Sequence, residues 1–205
     1  MKKTIICNIP MREYVASTIY SSDDASLPVS DKSFGHPINS FLSQTVDAED
    51  ELKIILLIKK DGNSFYEKNT EDFKQEIESI RSETGVNVEY AIIDTAFTQE
   101  RETHEQLMVS IINEIDDNSH ILTDITYGPK DVPVVIFTAL GFAEKFLNCQ
   151  IDNILYGQAE FKDNTVVGSR ICDMTPLYYL SSVTNTIRCD DPEKARQMLK
   201  SLLSI

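Results

Sequence analysis

Residues 121–146 read ILTDITYGPKDVPVVIFTALGFAEKF, and the reading of this stretch decides the fold. Ile121, Leu122, Thr123, Asp124 and Ile125 form an apolar run with a polar break, the pattern of a buried strand. The run stops at Thr126-Tyr127-Gly128-Pro129-Lys130, and a nearly uninterrupted apolar helix over 132–146 begins just beyond that loop. Strand, glycine turn and helix start in succession put the loop at the carboxyl edge of an open α/β sheet. There, backbone NH groups and the positive end of the helix dipole converge on a bound anion. Thr126 adds a hydroxyl, Tyr127 an aromatic ring and Lys130 a cation, which together suit a ribose, a base and a phosphate. The same residues also make an ordinary strand-to-helix turn, with Gly128 supplying a positive φ and Pro129 starting the helix.

Outward from this stretch the chain alternates between strand and helix. Strand patterns occur over 4–8, 53–58, 87–93, 120–125 and 152–156, with a further extended segment over 165–173. Phe73, Ile77 and Ile80 recur at one-turn spacing, as do Leu107, Ile111 and Ile115, which predicts amphipathic helices over 67–82 and 99–116. The expected fold class is α/β: a Rossmann-like, doubly wound, mostly parallel sheet of about six strands with helices on both faces. Residues 21–50 break the rhythm apart from a helical candidate over 37–45, so an insertion or partly ordered flap over the binding face is expected there. Asp191-Pro192-Glu193 has the chemistry of a helix start, and Ala195, Met198, Leu199, Leu202 and Leu203 continue it as an apolar stripe, giving a C-terminal helix over 191–205.

Composition narrows the function classes. A chain of 205 residues, 41% hydrophobic and 25% charged, is long enough for one well-formed core, so 1–205 is read as a single domain. The longest apolar stretch falls well short of the roughly 20 residues needed to span a bilayer, and no basic-apolar signal opens the chain, so a cytoplasmic location without a membrane partner is expected. Cys7, Cys149, Cys172 and Cys189 have no Cys-x-x-Cys spacing and His36, His104 and His120 do not pair with them, which predicts free thiols and no zinc site. A net charge of -14 argues against a protein that coats long nucleic acid, because neutralising phosphates takes clustered Lys and Arg. A small anionic ligand asks only for a few local cations, for which Arg12, Lys130 and Arg170 are the candidates.

The run Asp124-Ile125-Thr126-Tyr127-Gly128, with Lys130 and Pro133 leading into an apolar helix, resembles the Asp-x-Thr-His-Gly signature of CRISPR-associated Rossmann-fold (CARF) sensor domains. The opening is similar to that family's first-strand ligand loop: a strand over 4–7, a loop over 8–12, and Tyr14 and Tyr20 downstream. Tyr127 stands where the family usually has His, which removes a proton-transfer group but leaves a ring able to stack on adenine. The resemblance implies a homodimer that binds cyclic oligoadenylate, with cyclic tetraadenylate as the expected ring, and a possible fused or associated effector domain. Ligand-binding candidates are then Asn8, Ile9, Pro10, Arg12, Thr126, Tyr127, Gly128 and Lys130, joined by Tyr156 and Gln158, which end a neighbouring strand at the same edge.

Catalytic patterns are sparse. The Arg-x4-6-His motif of ribonuclease domains often joined to such sensors is absent, since Arg101 and His104 stand too close together. Glu160-Phe161-Lys162 resembles half of a metal-nuclease acid-x-lysine motif without its acidic partner, and reads as an exposed hairpin charge pair. No Gly-x-Gly-x-x-Gly, phosphate-loop lysine or Gly-x-Ser-x-Gly motif is present, so no cofactor and no metal is expected. One enzymatic alternative needs little machinery. Some CARF domains are ring nucleases that orient a ribose 2'-OH in line with the neighbouring phosphate, and Thr126, Lys130 and Asn8 are the residues that would orient and stabilise here.

Overall fold

The computed structural model describes residues 1–60, 65–96, 98–163 and 165–203. Along the chain run β1 (Lys2–Asn8), α1 (Pro37–Thr45), β2 (Glu51–Ile58), α2 (Phe65–Thr84), β3 (Asn87–Asp94), α3 (Arg101–Glu114), β4 (His120–Asp124) and α4 (Val132–Phe146). They are followed by β5 (Gln150–Lys162), β6 (Thr165–Asp173), α5 (Thr175–Thr186) and α6 (Pro192–Leu203). The sheet order is β3-β2-β1-β4-β5-β6, parallel throughout except that β6 pairs antiparallel with β5. This is the Rossmann-like α/β architecture expected from the alternation of elements.

Both faces of the sheet are covered. Ile5 and Cys7 of β1 and Ile54 and Leu56 of β2 face one core, shared with Ile38, Phe41 and Leu42 of α1 and Phe73, Ile77 and Ile80 of α2. Ile6 of β1 and Ile55 and Leu57 of β2 face the other, shared with α3, α4 and Tyr178 of α5. A strand buried on both sides must be apolar at successive positions, which is why β1 and β2 read as continuous runs.

Several boundaries differ from the sequence expectation. β5 runs to Lys162, well beyond 156, because its second half is held by antiparallel pairing with β6 (Tyr156 to Cys172, Gln158 to Arg170) and not by an apolar pattern. Residues 21–50 contain α1, the crossover helix between β1 and β2, whose Ile38 and Leu42 are fully buried. Upstream of it, Leu27 and Phe34 join the same core, Thr18 and Phe34 exchange backbone hydrogen bonds, and Ser21 is bonded on both sides to β6. The turn before α4 also differs in detail: Pro133, not Pro129, occupies the first turn of the helix.

Candidate functional site

The strand order reverses between β1 and β4, so the loops that leave their carboxyl ends diverge and open a crevice. Asp124, the last residue of β4, organises it. Its buried carboxylate accepts from Thr126 N (2.8 Å) through Oδ1 and from Ile38 N (3.2 Å) at the start of α1 through Oδ2. Burial pushes the Asp124 carboxyl above its usual range, and the hydrogen bonds from Thr126 and Ile38 oppose that rise. Thr126 in turn ties the loop to β5, its Oγ1 accepting from Gly157 N at 2.7 Å. Gly157 must lack a side chain, because a Cβ there would stand 2.3 Å from Pro37 Cγ. Gly128, at φ +94°, covers Asn8 so closely that a Cβ would lie 2.9 Å from the Asn8 Cγ.

The ring of Tyr127 is fixed from below. Its hydroxyl donates to the Gly35 carbonyl (2.7 Å), where the Tyr20 hydroxyl also points (3.4 Å), and its edge meets His36 with centroids 5.7 Å apart. Burial raises both phenols well above their ordinary values, with the Asp124 charge adding to the rise. The Gly35 peptide is held by Glu76 of α2, which accepts from Gly35 N (2.6 Å) and Asn39 Nδ2 (2.7 Å), with His36 Nδ1 at 3.3 Å. A second clamp comes from Asn69, whose Nδ2 donates to the carbonyls of Pro10 (2.7 Å) and Arg12 (2.8 Å).

Above these groups lies a cavity of about 750 Å³ walled by the loop after β1, the loop after β4 and the β5–β6 hairpin. Of the predicted residues, Pro10, Arg12, Thr126, Tyr127, Gly128 and Tyr156 line it together. Asn8 sits beneath Gly128, 2% exposed, with neither atom of its carboxamide hydrogen bonded. Three candidates stand apart. Ile9 belongs to the hydrophobic core, Lys130 is exposed outside the lining, and Gln158 accepts from Arg170 Nε at 2.9 Å outside the lining. Arg170 itself also reaches Asp23 (3.1 Å), so it is occupied by neighbours away from the cavity. Among the described residues, Arg12 is the one charged residue of the lining, which holds no carboxylate even though the chain has 33 acidic residues.

The start of α4 does not offer the expected cluster of free amides. Val132 N is bonded to Pro129 O and Val134 N to Asp131 O, Pro133 has no NH to give, and Asp131 pairs with His104 Nε2 at 2.7 Å. A carboxylate already complements the helix dipole there.

Sequence reading missed the hairpin residues Gly157, Phe161 and Val166 and the supports Glu76 and His36. The isolated glycine in the 152–162 stretch was a usable signal of close backbone approach. The Glu76 contact spans 41 residues and carries no local signature. Among the described residues, no group of three or more His, Cys, Asp or Glu side chains forms a metal site, and no helix is long and apolar enough to cross a membrane. All four cysteines are free thiols.

No family model matches the chain. Over 75 residues it is 28% identical to the CRISPR-associated protein MJ1674 of Methanocaldococcus jannaschii, a similarity that covers 37% of this chain and 12% of that protein.

Proposed function

We propose that the chain is a sensor domain of CARF type that binds cyclic oligoadenylate, with cyclic tetraadenylate as the expected ring, across a homodimer interface and regulates an effector in CRISPR-linked antiviral signalling. One observation carries the reading. The cavity, which no described carboxylate lines, lies at the point where the strand order reverses, and Thr126, Tyr127 and Gly128 of the Asp124-Ile125-Thr126-Tyr127-Gly128 run that resembles the family signature line it. The similarity to a CRISPR-associated protein supports the same cellular context. A two-fold ring suits an isologous dimer, because identical loops from each subunit meet equivalent halves of the ligand.

Cleavage of the ring is the second reading, and the site supports it less. Thr126 Oγ1 accepts from Gly157 N and Lys130 stands outside the lining, so of the three groups expected to orient and stabilise the reaction one is already engaged and another is not at the cavity. Competition binding of cyclic tetraadenylate, cyclic hexaadenylate and linear tetraadenylate tests the proposal. Preference for a ring is expected, and equal or tighter binding of the linear form would remove it. Incubation of the labelled ring with the protein in EDTA separates the two readings: intact ring is expected, and linear product would make the chain a ring nuclease.

A further inference from the structure

Four hydroxyls of the cavity are engaged with the protein itself. Tyr20 and Tyr127 point at the Gly35 carbonyl, Thr126 Oγ1 accepts from Gly157 N, and Thr18 Oγ1 shares a 2.8 Å bond with Ser169 Oγ. A hydroxyl that already has its partner gains little by exchanging it for a ligand atom. Besides the hydroxyls of Tyr14, Ser17 and Tyr156, what the lining offers is mostly ring surface. Tyr14 on the loop after β1 is 76% exposed and Phe161 on the β5–β6 hairpin is 61% exposed, both as part of the cavity wall. They reach the same cavity from segments far apart in sequence, and Phe161 does so only because β5 continues past the end of β4.

Large aromatic side chains held at the mouth of a cavity are costly to leave in water and are the groups on which unstacked bases rest. We infer that Tyr14 and Phe161 are base-stacking residues, so that the site grips a single-stranded oligonucleotide by the faces of its bases more than by the charge of its phosphates. The inference rests on the oligonucleotide reading and adds which groups do the holding. With Arg12 as the single lining cation among the described residues, few counterions are released on binding, so affinity falls only slightly as salt is raised. Loss of either ring weakens binding on the order of tenfold or more, the usual effect of removing one stacking partner.

The chain contains no tryptophan, so Phe161→Trp installs a lone indole whose fluorescence reports stacking directly. Wild type, Tyr14→Ala, Phe161→Ala, Phe161→Leu and Phe161→Trp are titrated with cyclic and linear tetraadenylate, and thermal midpoints check that these exposed positions leave the fold intact. The expected result is tenfold or greater weakening in both alanine variants and in Phe161→Leu, with retained affinity and quenched indole emission in Phe161→Trp. Wild-type binding that all the variants share, or an indole whose emission ignores a bound ring, overturns the stacking role and leaves the sensor reading standing. Wild type that binds neither oligonucleotide overturns both. If the alanine variants lose self-association while each remaining dimer binds as before, the rings belong to a subunit contact and the stacking role falls.

Discussion

The two ends of one sheet are built to different rules. At the amino end, Lys3 Nζ meets Asp50 Oδ2 at 2.6 Å and the Thr45 carbonyl at 3.0 Å, while the chain's own amino terminus lies 3.4 Å from Asp50 Oδ1. Thr4 Oγ1 donates to Ser119 Oγ, and His120 pairs with Asp152. At the carboxyl end the satisfaction is incomplete. Among the described residues, the buried side-chain polar atoms without a partner belong to Asn8, His36, Asn39, Asn69, Thr70 and Asp131. Each stands at the end of a strand, just before a helix, or in the first two turns of a helix that follows a strand. An orphaned buried polar atom costs roughly 1–3 kcal/mol, so their confinement to one edge marks where stability is given up. That edge carries the cavity, so the polar groups left without partners coincide with the proposed binding site.

The contrast can be broken by mutation, and the largest effect belongs to the satisfied end. Asp50→Ala leaves the Lys3 ammonium buried with a lone carbonyl for company, and urea denaturation should show a loss of about 3–5 kcal/mol. Gly157→Ala comes next. Its Cβ meets Pro37 and spreads the contact between β5 and α1, for an expected loss of about 1–3 kcal/mol together with weakened ring binding as Thr126 is displaced. Unchanged stability there would mean that the close approach relaxes freely.

Acid should act on the two ends with opposite sign. Burial would raise Asp50, but the hydrogen bonds from Lys3 and Asp47 N prevail and hold its carboxyl below the usual range. Its stabilisation is therefore complete above about pH 4, where the unfolded carboxyl titrates, and is lost as pH falls through the lower folded value. Asp124 is raised, so the folded state takes up its proton first, and acidification from neutrality toward about pH 4 relieves a cost. In unfolding midpoints followed against pH, Asp50→Asn should flatten the low-pH limb and Asp124→Asn the limb above it. A profile unmoved by either change would refute the assignment.

The smallest effect is the sharpest comparison, because it uses two polar residues of the same strand. Thr4→Val removes a satisfied buried hydroxyl and takes away the donor to Ser119 Oγ, so about 1 kcal/mol should be lost. Asn8→Leu replaces an unsatisfied carboxamide of similar shape, so stability should hold or rise, while affinity for the ring falls if that carboxamide serves the ligand. Equal destabilisation by the two substitutions would erase the distinction between the ends.

Much of this was legible in residue order. The helices over 37–45 and 132–146 have the bounds their patterns predicted, since a glycine or proline punctuates each start and an apolar face runs their length. The strands were visible too: in β1, β2 and β4 burial on both faces demands apolar runs, while the edge strands β3 and β6 showed as β-rich segments. The hairpin half of β5 was not, since GQAEFK has no core to face and owes its conformation to β6. For the site, the loop after β4 and the loop after β1 were found because each lies beside a strand end. Which side chains turn inward was hidden: Lys130 points to solvent, Ile9 into the core, and the Tyr127 hydroxyl toward a carbonyl 92 residues away. Those directions are set by packing between segments that no local window contains.

The most direct test is a calorimetric titration of the wild-type chain with cyclic tetraadenylate, read for stoichiometry. The account predicts saturable binding at one ring for every two chains, the signature of a ligand shared by paired carboxyl edges. Absence of heat and of any shift in thermal midpoint, or one ring bound per single chain, would contradict it.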